Sequence, residues 1–517
     1  MPARTTTDTT PKNEHAKSTN GISPEVTELK DTIIETRHSL TIQGRTIRYT
    51  ARAGTMVLKE ETEGEGEKSG LSEGEKARAT IFFISYTQDG ADASRPRPIT
   101  FAFNGGPGSS SVWLHLGVFG PRRVQMSGST APMPPPYRLV DNDQSILDQT
   151  DLVFIDPVST GYSRVVAGDK AKDFHGFTKD IESVGDFIRL YTTRYNRWNS
   201  PKYLAGESYG STRAAGLAGY LHERHGMYLN GIILVSAVLN FQTVDAQPGN
   251  DLPYILHLPT YTASAWFHNR LDDDLQHNLH DTLKEAEQFA RTEYTLALMQ
   301  GAALPAEERE QIVRKLARYT GLSPSYLGRC DLRPEIMRFT KELLRDQGRT
   351  VGRLDSRFTG SDRDAAGEQP EFDPSMAAIT GPYTALIYDY VRGSLKFESD
   401  LTYEVLTGRV SPWNVKEFEN RYIDVADTLR KAMRMNPHLR VYIASGYYDL
   451  ATPYFATDYT VNHLGLDAEA QKNISMGYYE AGHMMYIHPE SLAKMKRELS
   501  QFIHSAIPSV ETGLVVK

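Results

Sequence analysis

The chain has 517 residues, with 57 Lys and Arg against 65 Asp and Glu, a formal charge of −8. Hydrophobic residues make up 39% and aromatics 10%, enough for a large core, so a wholly disordered chain is excluded. The acidic balance and the lack of a dense Lys/Arg block argue against nucleic acid as a partner, and no run approaches the ~18 apolar residues of a membrane span. One cysteine, Cys330, excludes intramolecular disulfides and cysteine-built zinc sites.

Residues 1–30 read as a disordered polar tail rich in Thr, Lys and Ser. With no apolar signal segment and a lone cysteine, they predict a cytoplasmic setting. His38 to Tyr49 alternates around Gln43-Gly44, a hairpin signal, and the charged stretch Glu60 to Lys76 reads as a solvated loop. Strands follow at Ala79–Thr87, Pro98–Phe103 and Asp151–Asp156. Phe177 to Tyr195 is helical, because Ile181, Val184, Phe187, Ile188 and Tyr191 recur at spacings of three and four. Strand Tyr203–Gly206, a helix from Tyr209 and strand Ile232–Ser236 complete an alternation that predicts a mostly parallel sheet with helices on both faces.

The pattern then changes. Asp272–Leu298, Ala306–Tyr319 and Pro334–Gln347 carry helical periodicity, interrupted by the polar stretch Thr359–Glu371, which reads as a mobile loop. Strands return at Arg440–Ala444 and Asn473–Tyr478, and a last helix runs from Pro489 to about His504. The expected organisation is an α/β core in two halves, 31–240 and 402–517, split by a helical cap insertion over 241–401.

Gly206-Glu207-Ser208-Tyr209-Gly210 is a G-x-S-x-G between a strand and a helix, a turn that lifts a serine hydroxyl above the sheet. Taken alone, the pentapeptide also reads as a small-residue helix start. A serine needs a base, and the base an orienting acid, in the chain order Ser, Asp, His on such folds. Asp449 and His483 each follow a C-terminal strand, where ligands collect in open parallel sheets. Glu480 is an alternative acid but stands very near His483 along the chain, and His488 beside Pro489 reads as a helix-start residue. Asn104-Gly105-Gly106-Pro107-Gly108 follows a strand without the lysine of a phosphate loop. It suits backbone N–H donation to an oxyanion, or a plain tight turn.

Asn-Gly-Gly-Pro-Gly-Ser-Ser, Gly-Glu-Ser-Tyr-Gly, Gly-Tyr-Tyr-Asp, Ala-Gly-His-Met and the segment Asp156 to Ser163 together resemble the signatures of the serine carboxypeptidases, in order and over roughly residues 80 to 505. The resemblance implies an α/β-hydrolase fold and release of C-terminal amino acids from peptides through an acyl-enzyme. It implies Ser208 as nucleophile, His483 as base and acid, Asp449 as its orienter, and the N–H groups of Gly106 and Tyr209 as the oxyanion hole. Asn104 and Glu207 would bind the substrate's terminal carboxylate, so the implied partners are peptides with a free C-terminus. A carboxylate facing Glu207 requires a shared proton, which predicts activity best in mildly acidic solution. The alternatives are an acyltransferase or esterase on the same scaffold, or a non-catalytic binding protein.

Two departures from the family stand out: Ser109 where many members have cysteine, and Met484-Met485-Tyr486 where Met-Val-Pro is common. Trp413 and the aromatic stretch Tyr254 to Phe267 read as an apolar subsite or, with better odds, as packing. Asp355, Asp362 and Asp364 lack calcium-loop spacing and read as a solvated loop. The pairs His222/His225 and His277/His280 lack a metal-binding pattern, and Asp272-Asp273-Asp274 reads as a helix start. No metal or organic cofactor is expected.

Overall fold

The computed structural model describes residues 29–63, 72–91 and 96–507, so all but the last two residues of the expected tail lie outside it. Nine strands form the main path of one sheet: β1 (Thr32–Ile42), β2 (Arg45–Glu63), β3 (Ser72–Gln88), β4 (Ile99–Phe103), β5 (Asp151–Ile155), β6 (Lys202–Glu207), β7 (Gly231–Val235), β8 (Arg440–Gly446) and β9 (Ile474–Tyr479). Their order is β1-β2-β3-β5-β4-β6-β7-β8-β9, and Arg164–Val165 pairs with β3 at the side. Strands β1 to β3 are antiparallel, as is the β3–β5 pair, while every pair from β5 through β9 is parallel.

Strands β4, β5 and β7 are buried on both faces, which their apolar runs anticipate, while β9 at the edge is partly exposed. The period-2 alternation of strand side chains divides them between two cores. Ile232 and Leu234 join Phe101, Ile443 and Leu204 on one face, whereas Ile233 and Val235 join Ala102, Ala444 and Tyr442 on the other. The longer helices are α1 (Phe177–Arg194), α2 (Tyr209–His225), α3 (Leu252–Phe267), α4 (Leu279–Phe289), α5 (Ala306–Thr320), α6 (Pro374–Asp389), α7 (Ala426–Met435), α8 (Tyr454–Asn462) and α9 (Pro489–Ser505). Helices α1, α2 and α7 cover the first face, and α9 covers the second through Leu492, Met495, Leu499 and Phe502. Helix α2 is rich in alanine and glycine; a Cβ on Gly216 would stand 2.8 Å from Ile181 of α1 and one on Gly219 would stand 2.7 Å from Thr428 of α7, so its small residues let the neighbouring helices pack closely.

Between β7 and β8 the chain is mostly helical. Helices α3, α4 and α5 close a third core around Tyr261, Leu283, Phe289 and Leu316, joined by Tyr448 and Phe455. Helix α6 instead sends Ala378, Ile379, Tyr383 and Leu386 into the core under the sheet, so 241–401 is shared between two cores.

Two expected loops carry strand pairing within their described residues. The stretch Glu60–Lys76 was expected to be a solvated loop. Yet Glu60 pairs with Lys76 and Thr62 with Gly74 in the β2–β3 ladder, leaving only 64–71 outside the description. The ladder uses backbone groups alone, so charged side chains can flank it, and Glu60 meets Arg78 at 3.2 Å. In Thr359–Glu371, Thr359–Gly360 pairs with Thr350–Val351. Asp362 forms a buried ion pair with Lys341, and Asp362 also accepts from the Thr350 hydroxyl at 2.8 Å. Burying that lysine against a carboxylate fixes the segment, and sequence polarity alone does not report it.

Candidate active site

The turn from β6 into α2 leaves no room for side chains at Gly206 and Gly210, two residues to either side of Ser208. A Cβ on Gly206 would stand 2.0 Å from the Gly210 carbonyl oxygen, and one on Gly210 would stand 2.8 Å from the Phe103 carbonyl oxygen. Ser208 itself takes φ 60°, ψ −130°, held by its N–H to the Val235 carbonyl at 3.0 Å and by the Ser211 N–H on its own carbonyl at 2.8 Å. A non-glycine residue in that conformation is strained, and the surrounding bonds keep it there. Its side chain is left facing the cavity above the sheet.

His483 and Asp449 arrive on the loops after β9 and β8. His483 Nδ1 lies 2.7 Å from Asp449 Oδ2, with the carboxylate fully buried. The same carboxylate accepts the N–H groups of Ala451 (2.8 Å) and Thr452 (3.0 Å) and the Thr452 hydroxyl (2.6 Å), so its orientation is fixed. The His483 backbone is held from both sides: its N–H donates to Leu354 O at 2.7 Å and its carbonyl accepts from Ser236 Oγ at 2.7 Å. Burial works to lower the imidazole pKa, but the charges of Asp449 and Glu207 outweigh it and raise the pKa above the ordinary histidine range.

Opposite Ser208, the glycine-rich loop lies directly on the start of α2. A Cβ on Gly105 would come within 2.4 Å of the Tyr209 nitrogen. Tyr209 is the first residue of α2, so its N–H has no acceptor within the helix, and Gly106 next along the loop has φ +102°. The Asn104 backbone is anchored by Arg213, a fully buried residue that donates to its carbonyl and pairs with Asp180 of α1 at 2.7 Å. Asn104 Oδ1 accepts from the Leu114 N–H at 3.1 Å, which turns its amide NH₂ toward the cavity and Glu207. Behind the loop, Asp156 accepts the N–H and hydroxyl of Ser111. Ser109 accepts from Trp113 Nε1 at 2.8 Å and bridges to Leu406, so hydrogen bonds tether the loop at this position.

Glu207 is 3% exposed. Burial pushes its carboxyl up to about 7, against the opposing pull of the His483 charge and of hydrogen bonds from Tyr486 and Asn104. Asn104, Gly106, Glu207, Ser208 and His483 all line one cavity of about 220 Å³. Asp449 and Tyr209 stand behind that surface as supports. Its apolar wall consists of Trp113, Leu354, Met376, Ile379, Leu406 and Met484, with Arg353 at the exposed rim.

Most of that wall was not anticipated. Met376 and Ile379 lie on α6, whose start is signalled by Asp373, an N-cap accepting the Ser375 N–H at 2.9 Å, followed by Pro374. The two aromatic regions are packing, the favoured of their two readings. Trp413 stacks edge-on behind Tyr209, donating to its hydroxyl at 3.1 Å, and Tyr254–Phe267 is helix α3 in the third core. Asp355, read as part of a solvated loop, is buried against Arg357 and accepts the Gly482 N–H at 3.1 Å, which braces the His483 loop. Asp362 is likewise buried, against Lys341, whereas Asp364 is exposed and accepts the N–H groups of Ala366 and Gly367. Glu480 is exposed and faces His280 at 3.5 Å, well away from the Asp449 role. His488 caps α9, and Arg318 binds Asp272 and Asp274.

The family profile described as serine carboxypeptidase matches residues 60–487. The chain belongs to the serine carboxypeptidase family. Among curated relatives, pheromone-processing carboxypeptidase KEX1 of Saccharomyces cerevisiae is 32% identical over 164 residues, 30% of this chain and 20% of that protein's length. The crystal structure of Kex1(Δ)p, a prohormone-processing carboxypeptidase from the same yeast, aligns with TM-score 0.54 at 15% identity, covering 88% of this chain and 91% of the other. That likeness shows the α/β-hydrolase fold with its mixed sheet and helices on both faces. The expected parallel-sheet architecture therefore stands for this family member, with an antiparallel three-strand extension added at one edge.

Proposed function

We propose that this family member is a serine carboxypeptidase that removes single amino acids from the C-terminus of peptides. The observation that carries the reading is a buried Glu207 in the same cavity as Ser208 and His483, its carboxyl pushed up to about 7 by burial and the Asn104 amide beside it. A hydrolase of uncharged esters has no use for such a receptor.

Ser208 Oγ attacks the scissile carbonyl carbon as its proton passes to His483 Nε2, the ring nitrogen left free by the Asp449 bond. The oxyanion that develops is received by the N–H groups of Gly106 and Tyr209. The C–N bond then breaks, His483 returns the proton to the leaving amine, and the terminal amino acid departs. Water, deprotonated by the same imidazole, cleaves the Ser208 ester and restores the hydroxyl.

Glu207 and His483 face each other electrostatically, so their protons belong to the pair. The productive arrangement has Glu207 protonated and His483 neutral. An incoming carboxylate selects it, because it repels the Glu207 anion. Loss of the Glu207 proton removes the receptor, so kcat/KM for peptides should fall as pH rises through about 7.

Amino-acid release from blocked dipeptides and from their C-terminal amides, followed against pH, tests this. Free acids should be much the better substrates below neutrality, and Glu207→Gln should flatten the alkaline decline, since an amide donates without titrating. A wild-type kcat/KM for free acids that still climbs at about pH 9 contradicts the reading.

A further inference from the structure

We propose that Tyr486 is a positioning residue for carboxylate capture: its hydroxyl, bonded to Oε2 of Glu207, makes that oxygen the acceptor and leaves the acid proton on Oε1, where it can be given to the substrate. The inference rests on the reading of Glu207 above and goes one residue beyond it.

Tyr486 Oη donates to Glu207 Oε2 at 2.6 Å, and both residues are buried. The tyrosine lies three residues beyond His483, in the short turn Met485–Ile487, so the loop that delivers the base also delivers this donor. Its ring needs a slot. A Cβ on Gly117 would come within 2.4 Å of the ring, so a side chain there would exclude it. Tyr486 does not line the catalytic cavity. It borders a separate cavity of about 150 Å³, with Gly117, Arg123 and Tyr383, and acts on the substrate only through Glu207.

In a protonated carboxyl the carbonyl oxygen is the stronger acceptor and the hydroxyl oxygen is the donor. A fixed O–H directed at Oε2 therefore chooses which oxygen keeps the proton. Tyr486 stays a donor throughout the working range, because burial and the Glu207 charge hold its phenol well above the ordinary tyrosine pKa. The other groups facing Glu207 are His483 and Asp449 on the catalytic loops and Asn104 on the glycine-rich loop. Tyr383 of α6 adds a further phenol, and Arg353 stands at the cavity rim. Among these, the Tyr486 bond favours the carboxylate form, so removing it should raise the pH at which Glu207 loses its proton.

The test is Tyr486→Phe, which removes one oxygen and keeps the ring. With blocked dipeptides, KM at mildly acidic pH should rise several-fold with kcat nearly retained, and the alkaline midpoint of kcat/KM should move up by roughly half a pH unit or more. Blocked amino-acid esters, which lack the carboxylate, should be hydrolysed within about twofold of the wild-type rate. In a Glu207→Gln background the same substitution should leave the pH profile unchanged. An unshifted midpoint, or an equal loss on esters and peptides, overturns the role of Tyr486 while leaving Glu207 intact. If Glu207→Gln alone leaves the peptide profile unchanged, both readings fall.

Discussion

Ser208→Ala should lower kcat on blocked dipeptides by at least about 10⁴-fold, equivalent to roughly 5.5 kcal/mol of transition-state stabilisation, while KM changes only a few-fold. The two parameters separate because the groups that hold the substrate are distinct from the one that attacks it. Asn104 and Glu207 remain in place to receive the terminal carboxylate, and the N–H groups of the glycine-rich loop and α2 remain in place for the carbonyl oxygen. The backbone bonds that hold residue 208 at positive φ, to Val235 and from Ser211, are main-chain bonds that alanine keeps. The variant should therefore melt close to wild type. A loss of kcat below about 100-fold in folded protein means that another group supplies the nucleophile.

Asp449→Asn should cost on the order of 10³–10⁴ in kcat at unchanged cavity shape. Asp449 Oδ2 accepts the Nδ1 proton of His483 at 2.7 Å, so the lone pair sits on Nε2, where the Ser208 proton must go. An asparagine that turns its NH₂ toward Nδ1 forces the opposite tautomer, with hydrogen on Nε2 and no base for the serine. The N–H groups of Ala451 and Thr452 both bond the other carboxylate oxygen, Oδ1. They favour placing the asparagine oxygen toward the backbone and its nitrogen toward the imidazole. Glu480→Gln is the control. Glu480 is exposed and paired with His280, so its loss should leave kcat within about twofold. Single-turnover kinetics on both variants separates a chemical defect from slow product release.

What could be read from the sequence follows from which interactions are local. The turn at Gly206–Gly210 announces itself because steric exclusion acts within five residues and demands two glycines. The buried strands β4, β5 and β7 are equally legible, since each is a short, mostly apolar run. Gln43-Gly44 closes β1 on β2 with both residues at positive φ, as its composition indicates. Helices α3 and α6 were obscured for a physical reason. Pro259 and Pro382 lie inside them, and both helices are broadly apolar, so neither shows a clean polar face.

The long-range supports were hidden altogether. Arg213 of α2 anchors Asn104 from more than a hundred residues away, and Asp355 braces Gly482 from as far along the chain in the other direction. Nothing in the local pattern around Tyr486 indicates that its hydroxyl ends on Glu207, because residues 207 and 486 meet only once β6 and the loop after β9 are folded side by side. The order of Ser208, Asp449 and His483 was visible, but the apolar wall that surrounds their cavity was not, since Met376 and Ile379 carry no chemical signature.

The proposed reaction depends on an activated alcohol at position 208, and covalent labelling reports it most directly. Native protein treated with a fluorophosphonate, digested and mapped by mass spectrometry should carry a single adduct on Ser208, and His483→Ala should abolish it without unfolding the chain. Folded wild-type protein that remains unlabelled, or that carries the adduct on a different residue, contradicts a Ser208 nucleophile.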